Sequence, residues 1–275
     1  MEQYLLLEGC PVDGMAEFFE NRLSHNMEDY PYGIVIPIDK PYRWTSADVV
    51  RKCKFQLQKH FGTKKLKVGH AGTLDPLATG LLAVCVGKAT KISEELQSHE
   101  KEYVATIEFG ATTASFDLEQ PIDQTFPYEH IDEGLLRRIL QDFIGEQEQV
   151  PPAFSAKIIG GLRAYEYARA GEPIELKTTL IEIRELELLE FRNANSGNIE
   201  HNPVPAPLKD LSHVRNIHNY HTSEASDGSR PQAVIRIVCS KGTYVRSFAR
   251  DLGLALESGA YLTALRRTRS GELHV

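Results

Sequence analysis

The sequence is poor in cysteine and tryptophan and contains no long hydrophobic run. Its four cysteines are Cys10, Cys53, Cys85 and Cys239, which are too far apart for the paired spacings of a zinc site. A chain of 275 residues does not need disulfides for a stable core, so we expect reduced thiols and a cytoplasmic protein. No window is apolar enough to span a membrane, and the opening residues MEQYLLLEGCPVDG carry no basic leader. We therefore expect no membrane partner and no signal peptide.

The net charge of −7 hides an uneven distribution along the chain. Residues 1–30 and 92–150 are strongly acidic, whereas residues 40–91 hold eleven lysines and arginines against two acidic residues. Residues 236–270 form a second basic segment, with seven basic and two acidic residues. Such segregated charge can attract a polyanion even when the whole protein is acidic. Taken alone, the pattern fits equally well with solvated faces of unrelated elements.

The chain divides into an extension, a body and an insertion. Residues 1–30 are interpreted as a peripheral acidic extension, with a short helix at 17–23 and coil elsewhere. Residues 192–230 are rich in Asn, His, Ser and Pro without a sustained period, which predicts a surface insertion. Its four histidines, at positions 201, 213, 218 and 221, match no standard metal-site spacing, and we interpret them as part of a polar loop.

The body, from residue 31 onward, alternates between helical and strand patterns. Thr45 and Asp48 predict a capping box at the start of a helix over 45–61. Further helices are predicted at 88–96, 129–144, 161–171 and 242–256, with apolar stripes Ile131-Leu135-Ile139-Phe143 and Val245-Phe248-Leu252-Leu256. Strands are predicted in GIVIPIDKP, which begins at residue 33, and at 81–87, 101–110, 180–191 and 234–240.

Three polar residues stand in positions that favour chemistry. Asp75 lies between Gly72 and Gly80 in HAGTLDPLATG, and Pro76 restricts its backbone, as a nucleophile or base would need. Tyr103 lies on an alternating strand, where it could stack on a base. Arg246 lies in the first turn of a helix, where the helix dipole disfavours a cation and suggests an anionic partner. An ordinary Asp-Pro turn, a core tyrosine and a solvated arginine explain the same residues, so the pattern alone leaves both interpretations open.

Taken in order, five segments resemble the TruB family of tRNA pseudouridine synthases. The segments are KVGHAGTLDPLATGLLAVCVGKATK, KEYVATIEFGATTASFD, PPAFSAKIIGGLRAYEYARAG, CSKGTYVRSFARDLG and GAYLTALRRTRSG. The resemblance runs from about Gly33 to Gly271 and excludes the extension and the insertion. It implies an isomerase that converts uridine 55 in the T-loop of tRNA to pseudouridine with no cofactor and no metal.

The resemblance also assigns roles to individual positions. It implies that Asp75 is the catalytic carboxylate, which either attacks or deprotonates the sugar, and that Arg246 pairs with it. It implies that Tyr103 stacks on the target uracil. The remaining substrate-binding positions that it implies are His70, Tyr244, Leu265 and Lys40.

The family architecture is expected to be α+β, with a large, mixed, mainly antiparallel sheet flanked by helices and an active site in a central cleft. The chain stops soon after the LRR motif, so we expect no extra C-terminal RNA-binding domain. We expect a monomer whose partner is tRNA, and an extension that packs on the body rather than on RNA. A guide-RNA-dependent rRNA synthase and a non-catalytic RNA-folding protein stay open as alternatives.

Overall fold

The computed structural model describes residues 4–155, 157–172, 176–196 and 228–275. Most of the insertion expected at 192–230 lies outside these residues, as do its four histidines. The described chain divides into two compact units. The first holds residues 4–103 and 266–275, and the second holds the described residues from 104 to 265. Within the described ranges, no helix has the length and apolar character that crossing a membrane requires.

Six helices and fourteen strands occur in the described part of the chain. The helices are α1 (Met15–Arg22), α2 (Ser46–His60), α3 (Ser93–Ser98), α4 (Glu133–Gln141), α5 (Ala164–Ala170) and α6 (Val245–Ala255). The strands are β1 (Leu5–Leu6), β2 (Ile34–Lys40), β3 (Val68–Ala71), β4 (Thr79–Val86), β5 (Lys101–Phe109), β6 (Ala111–Thr113), β7 (Ile122–Thr125), β8 (Gly145–Gln149), β9 (Ile158–Ile159), β10 (Leu162–Arg163), β11 (Thr179–Arg192), β12 (Gln232–Cys239), β13 (Ala260–Ser270) and β14 (Leu273–His274). The predicted α+β class is confirmed.

The first unit is built on a mixed sheet around β4. Strands β2 and β3 both pair with β4 in the antiparallel sense, while the end of β13 pairs with it in parallel. β1 adds to β2 in parallel, and β14 folds back on β13. All eight residues of β4 are buried, as its continuous apolar sequence predicts for a central strand.

The N-terminal segment is part of this unit's core, in contrast to the peripheral coil expected from its acidity. Met15 and Phe19 of α1 are 1% and 0% exposed, and Cys10 bridges to Ile38 in β2. Together with Leu23 they pack in one cluster with α2, β2 and β4. The apolar residues at positions 12, 15, 19 and 23 have helical spacing, so the packing follows from a pattern that the net charge obscured.

The capping box predicted at the start of α2 is confirmed. Thr45 Oγ1 accepts a hydrogen bond from the Asp48 amide at 3.1 Å, and the Asp48 carboxylate accepts one from the Thr45 amide at 3.0 Å. Caps of this kind stabilise a helix by about 1 kcal/mol. The cap therefore fixes where α2 begins and, with it, the position of Ser46.

The second unit contains the antiparallel strands β8, β11 and β12, with β5 next to β12. The stripe predicted for α6 is confirmed, since Val245, Phe248, Leu252 and Leu256 are all buried. The stripe predicted for α4 is wrong in its register. Its most buried residues are Leu136 and Leu140, and the helix ends at Gln141 before Gly145 takes a φ of 113°.

The alternation predicted for β5 holds only for its first half. Glu108, expected on the polar face, is 0% exposed. Its carboxylate accepts hydrogen bonds from the Tyr261 hydroxyl at 2.7 Å and the Gln232 amide at 2.9 Å, and Arg230 lies 3.4 Å away. These partners compensate the cost of burying a charge, which a sequence pattern does not reveal.

Candidate active site

Asp75 lies in the loop of the β3–β4 hairpin. The two strands pair from Val68–Val86 to Ala71–Ala83, and residues 72–78 connect them. The Asp75 carbonyl accepts a hydrogen bond from the Ala78 amide at 3.1 Å, which closes a tight turn with Pro76 at its second position. Asp75 is half-buried. The loop therefore presents one carboxylate from a short, closed turn, as its glycine and proline residues predict.

Ser46 anchors this loop to the start of α2. Its hydroxyl accepts a hydrogen bond from the Leu74 amide at 2.9 Å and donates one to the Leu74 carbonyl at 3.1 Å. Ser46 is 3% exposed, so water does not compete with either contact. Both backbone polar groups of Leu74, the residue directly before Asp75, are therefore bound by one hydroxyl group. No role was predicted for Ser46 from the sequence.

Lys40, at the end of β2, is completely buried beneath the same loop. Its ammonium group donates to the carbonyls of Pro41 (3.0 Å), Trp44 (2.6 Å) and Pro76 (3.1 Å). Burial lowers the pKa of Lys40 to about 7, whereas the Asp75 carboxylate acts in the opposite direction. Lys40 and Asp75 are therefore electrostatically coupled, as expected for a lysine that supports the site.

Arg267, in β13, is a second buried cation behind this loop. Its guanidinium donates to the carbonyls of Leu81 (2.7 Å), Gly72 (3.0 Å) and Thr73 (3.5 Å). Gly80 allows the close approach, because a Cβ at that position would lie 2.2 Å from the Arg267 carbonyl oxygen. Arg267 was not predicted from the sequence. The signal was its spacing of two from Leu265, which places both side chains on the same face of the strand.

His70 and Tyr103 belong to the same unit. Burial, and then the positive charge of Arg267, lower the pKa of His70, so its imidazole is neutral at pH 7. Within the described residues, the buried His70 Nδ1 has no hydrogen-bond partner. Tyr103 is 9% exposed in β5.

Arg246 lies in the second unit, in the first turn of α6, as predicted. It is 3% exposed and donates to the carbonyls of Ser115 at 3.2 Å and Phe154 at 2.8 Å. Its Nε also lies 3.6 Å from the Asp117 carboxylate, an acidic partner that sequence analysis did not identify. Asp75 belongs to the other unit, and its ion pair with Arg246 stays a prediction.

Gln149 holds the backbone of Tyr244. Its side-chain oxygen accepts from the Tyr244 amide at 2.8 Å, and its side-chain nitrogen donates to the Tyr244 carbonyl at 3.2 Å. Tyr244 is the N-cap residue of α6, directly before Arg246's turn. Leu265 is 9% exposed in β13 of the same unit. Tyr244 and Leu265 were predicted as site residues from the sequence, whereas Gln149 was not.

A basic cavity lies at the other end of the β3–β4 hairpin. It encloses about 490 Å³, and its lining includes Lys65, Lys67, Lys88 and Lys91 together with Tyr30. The four lysines are exposed. The Gly87 amide donates to the Lys67 carbonyl at 2.8 Å, which continues the hairpin into the cavity wall. The paired strands separate the cavity from the Asp75 loop by a distance on the order of 10 Å.

The sequence matches a protein-family model over residues 58–202, and the model describes the N-terminal domain of TruB family pseudouridylate synthases. A protein of Phocaeicola vulgatus named tRNA pseudouridine synthase B is 47% identical over 247 residues, which cover 90% of this chain and 89% of that protein. The chain belongs to the TruB family. The family match includes the β3–β4 hairpin with Asp75, and Tyr103 in β5.

Other TruB proteins match over similar lengths. The proteins of the same name from Flavobacterium johnsoniae and Deinococcus radiodurans are 45% and 39% identical, over 90% and 86% of this chain. They are covered over 93% and 73% of their own length. In these alignments the TruB resemblance extends well beyond the residues of the family model.

Two solved structures are also similar. A Cbf5-Nop10-Gar1 complex contains a chain that is 25% identical, with a TM-score of 0.54 over 88% of this chain. An H/ACA RNP bound to a substrate RNA containing 2′-deoxyuridine gives 26% identity and a TM-score of 0.51. The TruB-family chain described here spans about half the length of those two chains, 50% and 49%.

Proposed function

We propose that this chain is a tRNA pseudouridine synthase that isomerises uridine 55 in the T-loop of tRNA. The reaction breaks the bond between ribose C1′ and uracil N1 and forms a bond between C1′ and C5, while C5 loses a proton and N1 gains one. The observation that carries the proposal is the 47% identity to a tRNA pseudouridine synthase B over 89% of its length, with Asp75 inside the matched region.

The Asp75 loop supports a catalytic role for its carboxylate. The turn is closed by its own backbone, anchored by Ser46 and held from below by Lys40. A carboxylate fixed in this way needs little reorganisation when a substrate binds, whether it attacks C1′ or removes a proton from the sugar. Both routes require the ionised form of the carboxylate.

Three further residues complete the proposed site. A uridine inside a folded loop must leave its stack before chemistry, and Tyr103 supplies a new stacking partner. His70, whose buried Nδ1 lacks a partner within the described residues, has hydrogen-bonding capacity for the displaced RNA. Arg246 pairs with Asp75 and keeps it ionised under the bound base, a role that its rigid guanidinium suits.

The basic cavity supports RNA binding outside the reacting nucleotide. Lys65, Lys67, Lys88 and Lys91 are exposed around one concave surface, where a phosphate backbone gains several contacts at once. Such contacts fix the position of the RNA without reading its sequence. We infer that the cavity binds phosphates of the tRNA arm that carries the target loop.

We also propose a cytoplasmic, monomeric enzyme. In support of the cytoplasmic location, the four cysteines of the chain are free and buried. Burial raises the pKa of Cys10 to about 12 and that of Cys85 to about 11. Thiols in this state are unreactive and form no disulfides, as expected for a reducing compartment.

The experiment that tests the proposal uses the full chain and an unmodified tRNA transcript without any guide RNA. We expect one pseudouridine per tRNA, at position 55, and none in a transcript with cytidine at that position. A requirement for guide RNA would favour the activity suggested by the H/ACA likeness. Tight tRNA binding without any pseudouridine would favour an RNA-folding protein.

A further inference from the structure

Glu20, His25 and His60 form a cluster of potential metal ligands in the first unit, away from the Asp75 loop. Each offers one ligand atom, and these atoms all lie within 4.8 Å of one another. Glu20 lies near the end of α1, His25 in the loop that follows, and His60 at the end of α2. The three positions match no short ligand motif, so no metal site is predicted here from the sequence.

The hydrogen bonds of the two imidazoles fix their tautomers. His25 Nδ1 lies 3.1 Å from the His60 carbonyl, and His60 Nε2 lies 3.0 Å from the Ser24 carbonyl. A carbonyl oxygen only accepts, so both of these ring nitrogens carry the proton. The other nitrogens, His25 Nε2 and His60 Nδ1, are then left with their lone pairs. Metal-binding histidines are oriented by this kind of contact from the second ring nitrogen.

Both lone pairs face the same carboxylate. His25 Nε2 lies 3.2 Å from Glu20 Oε1, and His60 Nδ1 lies 3.4 Å from Glu20 Oε2. The His60 side chain is 3% exposed, and its Nδ1 has no hydrogen-bond partner among the described residues. A buried acceptor that faces another acceptor costs free energy unless a cation lies between them.

One divalent ion satisfies both lone pairs at once, whereas a single proton satisfies only one of them. Protonation of both rings would place two positive charges on imidazoles whose centroids are 4.6 Å apart, opposite only one carboxylate. A tetrahedral ion with bonds of about 2.0–2.1 Å holds its ligand atoms about 3.4 Å apart. The nitrogen–oxygen distances, 3.2 Å to Oε1 and 3.4 Å to Oε2, are close to that spacing but end on different oxygens of Glu20. With one ligand atom per residue the three atoms lie within 4.8 Å, so one ion would draw the exposed Glu20 and His25 side chains inwards.

We propose that Glu20, His25 and His60 bind one Zn²⁺ ion, with water as its fourth ligand. Two imidazoles and one carboxylate are an established zinc donor set, whereas Mg²⁺ prefers oxygen ligands. The ion joins the ends of α1 and α2 and the loop between α1 and β2. It therefore fastens the N-terminal segment, including Tyr30 in the wall of the basic cavity, to the body of the first unit.

The test is Zn²⁺ binding to the full chain after removal of metal by a chelator, measured by competition with a chromophoric chelator. We expect one tight site in the wild type. Glu20→Gln and His25→Asn should weaken it at least about tenfold, because loss of a ligand costs no less than loss of an outer contact. Both side chains are mostly exposed, 60% and 67%, so the variants should fold. Glu17→Gln, an exposed position of the same helix, is the charge-matched control.

The histidines of the polar insertion offer an alternative site for Zn²⁺. A variant with asparagine at positions 201, 213, 218 and 221 should keep the tight site, with Mg²⁺ as the negative control ion. Zn²⁺ binding should also raise the melting temperature of this variant, but not that of Glu20→Gln. A wild type that binds no Zn²⁺, or a tight site that survives Glu20→Gln and His25→Asn, would overturn the proposal.

Discussion

Lys40 donates a hydrogen bond to the carbonyl oxygen of Pro76 across 3.1 Å, so a buried ammonium group holds the residue that directly follows Asp75. The contact joins the end of β2 to the loop of the β3–β4 hairpin. It places a cation behind the proposed catalytic carboxylate rather than in solvent. The arrangement explains why a lysine is tolerated at 0% exposure, because its three acceptors and Asp75 stabilise the charged form that burial disfavours.

Lys40 should make the stability of the protein depend on pH. Burial lowers its pKa from 10.5 to about 7, so between these values the unfolded chain binds more protons than the folded one. The contribution of Lys40 to the free energy of unfolding therefore rises with pH across this window and is lost as pH falls towards 7. Urea unfolding at pH 7 and pH 9.5 should show the wild type gaining stability relative to Lys40→Met.

The same titration reports on Asp75. The Asp75 carboxylate raises the pKa of Lys40, so Asp75→Asn should lower that pKa further. Carbon-13 NMR of the lysine side chain measures the shift directly. Asp123→Asn, a change at an exposed acid of the second unit, is the control and should leave the titration unchanged. An unaltered Lys40 titration in Asp75→Asn would contradict the coupling.

Gly80 and Gly69 provide a matched pair within one hairpin. Gly80 has a φ of +95°, and a Cβ there would lie 2.2 Å from the Arg267 carbonyl oxygen, so Gly80→Ala should cost about 3 kcal/mol or more. A Cβ at Gly69 meets nothing within 4 Å, so Gly69→Ala should be nearly neutral. Chemical denaturation measures both. If both substitutions destabilised the protein equally, the close approach of β4 and β13 at Gly80 would not be the cause of the loss.

Arg246 should matter for turnover more than for tRNA binding. Arg246→Ala leaves the buried Asp117 without its cation and endangers folding, so Arg246→Lys is the more informative change. Lysine keeps the charge but not the planar set of donors that reaches Ser115 and Phe154. We expect kcat to fall at least about tenfold, with tRNA affinity changed by less than about threefold.

The control for Arg246 is Arg250→Lys, one turn further along α6. Arg250 contacts Asp251 and the Val150 carbonyl, and it should tolerate lysine without loss of kcat. Similar losses of turnover and binding in Arg246→Lys would count against a role in orienting the carboxylate.

The basic cavity should contribute affinity that depends on salt. Lys65→Gln combined with Lys67→Gln should reduce the slope of log Kd against log salt by about 1.4–1.8, the value for two phosphate contacts. The rate at saturating tRNA should be unchanged. Lys54→Gln combined with Lys59→Gln alters charge equally on α2 and should leave the slope nearly intact. If both double variants reduced the slope equally, the salt dependence would come from the net charge of the protein rather than from the cavity.

The parts of the fold that depend on local sequence were predictable. The capping box of Thr45 and Asp48 and the stripe of α6 are set by residues a few positions apart, and both are confirmed. Strand β3 was not predicted, because Val68, Gly69, His70 and Ala71 have no alternating pattern. Residues 68–71 form a strand because their backbone pairs with that of β4. This long-range contact cannot be predicted from the four residues themselves.

In the candidate site, too, features set by local sequence were predictable and those set by long-range contacts were not. The family resemblance pointed to Asp75 and Lys40, but the residues that hold them were found only in the structure. Ser46 and Gln149 act through backbone contacts 28 and 95 residues away, and such pairings leave no mark at short range. Arg267 was not predicted as a site residue, although it alternates with Leu265 along β13 and both side chains are buried.

The most direct test of the account is release of tritium from tRNA labelled at C5 of uridine, compared between wild type and Asp75→Asn. Asparagine keeps the shape of the loop and removes only the ionised carboxylate. We predict that release slows at least about 10³-fold while tRNA affinity stays within about threefold. Release at the wild-type rate from Asp75→Asn, with the chain folded and the tRNA bound, would contradict the central claim.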